Sequence, residues 1–319
     1  MPRTAAVLAY PFSNNLGDYI QSIAAKQWIQ TQEVLALDRE ELHTYSGPKV
    51  NLIMNGWFME DGSHWPPSSQ IRPLFLSFHL NPTAQKAMLT PEGIAYFKKH
   101  QPIGCRDRHT ERIMIDLGIQ AYFSGCLTLG LNRSSFVSLN KQRKGIVVIS
   151  PLERLLPEKK DFRWTKKKPF LHVLIQLLKY PIKQIKYKQA IKRVHQFLEV
   201  QDEEVTWHSQ LIDTENHSEE HRIQAAIKQL HILANAKLVI TSRIHSALPA
   251  VAFETPVLFL SDGLEHPNQK SRLEGMETFF PILNSRELYK WKKTLPKARN
   301  KHLPLVGHFK KEIHLFLKD

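Results

Sequence analysis

A chain of 319 residues that is 42% hydrophobic and 23% charged has enough apolar material for two lobes of about 130 to 160 residues, and too much for a disordered polymer. Its two cysteines, Cys105 and Cys126, are too few for a disulfide framework or a cysteine-based zinc site, and read as small core residues. The net charge of +14 is uneven: residues 159–193 hold twelve Lys and Arg against one acid, Asp161, a local excess of +11.

Along the chain, the apolar run at residues 5–10 is too short for a secretory leader and is followed by the polar Ser13, Asn14 and Asn15. It reads as a first strand, with a helix at 19–29 where Ile20, Ile23, Ala24 and Trp28 recur at helical spacing. Short apolar runs at 34–37, 50–54, 74–78, 102–105 and 120–123 suit buried parallel strands. Helices are predicted at 90–99, with Thr90 as N-cap and Pro91 in the first turn, and at 108–117, stopped by Gly118. After a polar, turn-rich stretch at 132–145 the rhythm resumes. Strands are expected at 146–149, 204–208, 238–241 and 256–260, with helices at about 219–234, after His245, and at 309–317.

Strands alternating with helices imply parallel, helix-covered sheets, hence a two-lobed α/β protein. The expected division is residues 1–140, 141–300 and a terminal helical segment at 301–319. No eighteen apolar residues run without a charge, so a membrane span is not expected and the expected location is cytoplasmic.

Open α/β sheets bind ligands at the carboxyl ends of their strands, which singles out four segments. Asn15, Gly17 and Asp18 offer backbone amides and a carboxylate at a helix start, although capping alone would also account for Asp18. Arg106 and Asp107 follow a short strand, where Arg106 could pair with a phosphate or carboxylate and Asp107 could equally brace an arginine or cap the next helix. Ser124 to Thr128 presents hydroxyls, or is simply a turn. The fourth segment carries most weight. A buried strand ends in Ser242 and delivers Arg243, His245 and Ser246 to the mouth of a helix whose amides also attract an anion. His217 and His221 stand four apart, but no third ligand is evident, so no metal site is expected.

These segments, together with Gln21, Asn55, Gly56, Trp57, Thr110 and the stretch from Phe253 to Pro256, make residues 10–262 similar to the polysaccharide pyruvyl transferase family. Two positions depart from the family's usual pattern: Ile244 stands where Leu is usual, and Glu254 where Gly is usual. The resemblance implies a glycosyltransferase-B-like fold of two facing lobes, the first on the acceptor side and the second on the donor side. It implies transfer of a pyruvyl group from phosphoenolpyruvate, as a ketal, to hydroxyls of a cell-surface glycan or its lipid-linked precursor. Phosphoenolpyruvate is then the donor substrate, with no further cofactor. His245 and Asp18 would be catalytic, with Arg243, Arg106, Asn15, Gly17, Ser242, Ser246 and Asp107 binding substrate. A nucleotide-sugar glycosyltransferase of the same architecture is the nearest alternative.

Residues 159–193 match nothing in that family pattern. Two readings are open for them: a basic, apolar helix pair lying on anionic lipid, or a solvated face covering the second lobe. A nonenzymatic membrane or nucleic-acid binder is the more distant alternative. Nucleic acid is the weaker half of it, because Tyr180 and Tyr187 are the only tyrosines interleaved in the strongly cationic part of the run.

Overall fold

The computed structural model describes residues 4–31, 33–138, 140–157 and 170–318. In the first lobe, strands β1 (Thr4–Ala9), β2 (Val34–Asp38), β3 (Val50–Phe58), β4 (Ile71–Leu80), β5 (Ile103–Cys105) and β6 (Ala121–Phe123) form one parallel sheet in the order β2-β1-β3-β4-β5-β6. Helices α1 (Leu16–Lys26), α2 (Gln85–Met88), α3 (Pro91–Lys99) and α4 (Arg108–Asp116) connect them. In the second lobe, β7 (Lys144–Ile149), β8 (Val205–His208), β9 (Ala236–Thr241), β10 (Val257–Leu260) and β11 (Ile282–Leu283) form a parallel sheet in the order β11-β10-β9-β7-β8. Its helices are α5 (Phe170–Leu198), α6 (Glu219–Asn235), α7 (Ile244–Ala252) and α8 (Pro267–Lys270), and the chain closes with α9 (Leu303–Lys318).

Local chemistry explains the helix starts. Thr90 Oγ1 accepts the Gly93 amide at the start of α3, with Pro91 next to it, and Ser218 accepts the His221 amide at the start of α6. After α4, Gly118 takes φ +68, a conformation that costs glycine nothing and ends the helix. Cys105 and Cys126 are free and buried, as core residues should be.

Three helices differ from expectation. Helix α1 starts at Leu16 because Asn15, not Asp18, is its N-cap and accepts the Gly17 amide. Helix α7 starts at Ile244, so His245 lies in its first turn and Pro249 in its interior. Residues 170–198 form one 29-residue helix through Pro181 where a helix pair was expected. The remainder of the basic run, residues 159–169, lies outside the described residues.

The lobes are joined through α1. Ile20 and Ala24 of α1 share a single apolar core with Leu230 of α6 and with Ala247 and Val251 of α7. Burying a side chain such as Ile20, which is fully buried, stabilises by roughly 1.5–3 kcal/mol. Backbone bonds add to this: the Leu16 amide donates to the Gln210 carbonyl at 2.9 Å and the Ile212 amide to the Asn14 carbonyl at 2.8 Å. Helix α9 returns to the first lobe, where Arg72 donates to the Phe316 carbonyl and His308 meets the edge of Tyr122. Two doubly wound sheets facing each other make this a glycosyltransferase-B-like fold.

Candidate functional site

Both strand orders reverse direction at one place. In the first sheet β1 lies between β2 and β3, and in the second β7 lies between β8 and β9. Chains leaving adjacent strands at such a switch point diverge to opposite faces and leave a crevice at the strand ends. The two crevices face each other across a shared cavity of about 330 Å³. The first lobe supplies Tyr10, Asn15 and Asp18 after β1, Asp38, Arg39 and Glu40 after β2, and Trp57 and Glu60 from β3 and beyond. The second supplies Arg154 after β7, Gln210 after β8, Ser242, Arg243 and His245 after β9, and Gln269 and Arg272 after β10.

The walls differ in charge. The second-lobe wall brings three arginines and a histidine. The first-lobe wall carries Asp18, Asp38, Glu40 and Glu60 against a single Arg39, which is paired with Glu40 at 2.6 Å and stacked 4.0 Å over the Trp57 ring. An anion therefore meets attraction on one side, and a neutral polyhydroxylated molecule meets carboxylate acceptors and an aromatic face on the other.

His245 is buried, and its Nε2 has no hydrogen-bond partner among the described residues. Burial first, then the charges of Arg106 and Arg272, hold its imidazole well below the ordinary value, so it is neutral at pH 7. The Nε of Arg272 is likewise buried and without a partner among the described residues. Burial, then Arg106, then Arg154, bring its pKa down to about 9. Unpartnered buried polar nitrogens are costly, and two of them at one arginine-rich wall mark a place where an anion would be stabilised.

Asp18 also lines the cavity, held by Ser13, which donates from Oγ at 2.6 Å, and by Gln21, which donates from Nε2 at 3.2 Å. Its remaining lone pairs are available to a hydroxyl. Asn15 lines the wall too, but its Oδ1 accepts from the Gly17 amide and from Gln210.

Several expected ligand-binding residues do other work. Arg243 does line the cavity, yet Glu153 takes its Nε at 2.9 Å and also its Nη2, so much of its charge is already answered. Arg106 is fully buried and absent from the cavity lining. None of its three guanidinium nitrogens has a hydrogen-bond partner among the described residues, and it acts on the site through its charge. Asp107 is fully buried as well. It caps α4 through the Thr110 amide, stands 3.7 Å from Arg106 and accepts from His79 Nδ1 at 2.5 Å. Burial pushes its carboxyl up, but His79 and Arg106 outweigh this and hold it below the usual carboxylate range. His79, brought down to about 4 by burial and then Arg106, is therefore neutral beside an ionised Asp107.

Gly17 does not offer its amide to a ligand, because Asn15 occupies it. It is needed for close approach: a Cβ there would sit 2.5 Å from Gln210 Nε2 and 2.8 Å from His245 Cβ. Ser242 borders the cavity but ties β9 to β7, donating to the Ser150 carbonyl and accepting the Leu152 amide. Ser246 is buried between Gln210 and Gln229, away from the lining. The Ser124 segment runs from β6 into a 3-10 helix at Leu127–Gly130, and Ser124 Oγ donates to the Cys105 carbonyl. The rings of His217 and His221 stack 4.2 Å apart, and no group of three metal-ligating side chains occurs among the described residues.

Arg272, Arg154 and Gln210 were not singled out in the sequence. Arg272 follows β10 by a dozen residues, in a 3-10 turn (Ser271–Leu273) directly after the short α8, and has no neighbouring motif. Only the rule that strand ends meet at the cleft points towards it.

The family model described as polysaccharide pyruvyl transferase matches residues 15–263. No curated protein matches the sequence. Among solved structures, a functionally uncharacterized protein from Klebsiella pneumoniae is similar at 12% identity with a TM-score of 0.42, covering 88% of this chain and 93% of its own. The wall teichoic acid polymerase TagF, as a variant soaked with CDPG, is similar at 11% identity with a TM-score of 0.44, covering 100% of this chain and 90% of its own. Residue 263 is where the family match ends, so Arg272 lies beyond the matched span.

Proposed function

Because this chain belongs to the polysaccharide pyruvyl transferase family, we propose that it takes a pyruvyl group from phosphoenolpyruvate and places it, as a ketal, across two hydroxyls of a sugar. The acceptor is a cell-surface glycan or its lipid-linked precursor. One observation carries the reading: His245 Nε2 and Arg272 Nε are buried and unpartnered among the described residues at one anion-attracting wall.

The donor has a phosphate and a carboxylate, which need more than one cation. Arg272, Arg154 and the part of Arg243 that Glu153 leaves open would hold them, with Arg106 adding its field from behind. The sugar would lie against Trp57 and the carboxylates of the first lobe.

In the reaction the methylene carbon of the donor gains a proton, and the adjacent carbon becomes cationic. One sugar hydroxyl adds there and loses its proton; a second adds as the C–O bond to phosphate breaks. Of the two hydroxyl protons, one replaces that delivered to the methylene carbon and the other leaves with phosphate. His245, neutral in the free protein, suits hydrogen bonding to the phosphate or proton transfer, and Asp18 suits acceptance of a hydroxyl proton. Phosphoenolpyruvate is consumed as a substrate, and the scheme calls on no cofactor.

The test is acceptor-dependent phosphate release from phosphoenolpyruvate with a panel of cell-surface glycans, run beside nucleotide sugars as rival donors. We expect release with phosphoenolpyruvate alone, abolished in His245→Ala and Arg272→Ala. Turnover of a nucleotide sugar without any of phosphoenolpyruvate would overturn the proposal.

A further inference from the structure

Helix α5 has two apolar faces, and the fold uses one. Towards its C-terminal end, Ala190, Val194, Phe197 and Leu198 are buried against the β7 side of the second sheet. Towards its N-terminal end, Phe170, Leu171, Leu174, Leu178, Ile182 and Ile185 are between 41% and 70% exposed. At about 100° per residue, these six fall within one arc of roughly 120°, on the side of the helix opposite Ala190 and Val194. A helix serving only as a cover for the second lobe would show water a polar outer face.

The charge on this helix decides what the second face is for. Residues 170–198 contain six Lys and Arg and no Asp or Glu. Lys179 and Lys186 flank the apolar arc on one side, and Lys188 and Lys192 continue its outward side beyond Ile185; Lys183, half-buried and donating to Gln176, lies on the opposite side. A second copy of the chain would bring the same uncompensated cations to the contact and be repelled. An apolar stripe edged by lysines, whose long stems reach over the stripe while their ammonium groups stay in water, fits a surface that is apolar inside and anionic at its rim.

We infer that the N-terminal half of α5 docks on an anionic lipid bilayer, lying in the plane of the headgroups. This goes beyond the proposed chemistry and is independent of it. No helix among the described residues is long and apolar enough to cross a membrane, so the contact is with one leaflet. The helix also sets an orientation. It follows β7, packs back antiparallel towards the start of β8, and at 29 residues is about 43 Å long. A six-residue strand such as β7 spans only about 20 Å. The excess length lies at the helix's N-terminal end, which is the end of the sheet where the cavity opens. A bilayer bound there stands beside the cleft.

Flotation of the full chain with lipid vesicles tests this, using phosphatidylcholine alone and phosphatidylcholine mixed with phosphatidylglycerol, each at low and high salt. The chain should float with the anionic vesicles at low salt, less at high salt, and stay behind with the neutral ones. Leu174→Asp/Leu178→Asp and Lys179→Gln/Lys186→Gln should each lower the partition onto anionic vesicles by about tenfold or more. Thermal melting should be unchanged in both, since all four positions are at the surface. Equal recovery with both vesicle types, no recovery with either, or unaltered recovery of the variants would overturn the inference. A dimer in light scattering that Leu174→Asp/Leu178→Asp dissolves, without vesicle binding, would overturn it in favour of self-association. Phosphate release from phosphoenolpyruvate is read separately, so either result can fail alone.

Discussion

The charge of Arg106 is, after burial, the largest influence bringing the guanidinium of Arg272 down to a pKa of about 9. Two cations held this way are a standing cost in the free protein, and a bound anion removes it. Arg272→Met should therefore raise the melting temperature of the free protein by roughly 2 °C or more while abolishing donor binding. In the parent protein, phosphoenolpyruvate at about a hundred times its Kd should stabilise by about 2.7 kcal/mol. Differential scanning fluorimetry with and without phosphoenolpyruvate reads both effects. A variant that melts lower and still responds to the ligand would contradict this account.

Asp107 answers Arg106 and His79 and also caps α4. Asp107→Asn keeps the shape and removes the charge, which leaves Arg106 without its nearest carboxylate in a fully buried position. We expect a loss of about 3–5 kcal/mol in urea unfolding. A loss below about 1 kcal/mol would mean that the arginine finds compensation elsewhere.

His79 is brought from an ordinary 6.5 to about 4. The unfolded chain thus takes up a proton near pH 6.5 that the folded chain refuses until about pH 4. The sign follows: His79 contributes stability above pH 6.5, and that stability is lost as the pH falls towards 4, by about 3 kcal/mol in all. His245 acts in the same direction. Unfolding free energies measured between pH 7 and pH 4 should fall, and His79→Gln should flatten part of the slope. A slope identical in the variant would remove His79 from the explanation.

Gly17→Ala puts a methyl 2.8 Å from His245 Cβ and 2.5 Å from Gln210 Nε2. The glutamine end can swing aside, but the histidine Cβ is fixed by α7. We expect a stability loss of about 1–3 kcal/mol and a fall in kcat well beyond what that loss explains, because the imidazole shifts. Activity at the parent level in a folded Gly17→Ala would show that the position of His245 is not critical.

The strands were legible because buried parallel strands are continuous apolar runs, as at residues 146–149 of β7 and at Val257–Leu260. His245 was legible because it follows such a run directly. The strand-end rule gave the position of Arg106 but not its depth, since depth depends on what the other lobe places over it. The partnership of Arg243 with Glu153 spans ninety residues, and nothing local in either segment announces it. Arg272 was not legible because it stands in a single 3-10 turn, Ser271–Leu273, after the four-residue α8, too short for a periodic apolar pattern to mark it. That residues 170–198 form one helix was not legible either, because Pro181 reads as a break and α5 runs through it.

The return of α9 to the first lobe, fixed through Arg72 and His308, means that the polypeptide passes between the lobes twice. Two cross-links on one side leave a rotation about the line joining them as the softest relative movement, and they resist sliding and twisting. Substrate entry and product exit would then change the gape at the far rim and leave the spacing near α1 almost constant. A truncation before Leu303 would remove one of the two supports and let the cavity walls lose their register.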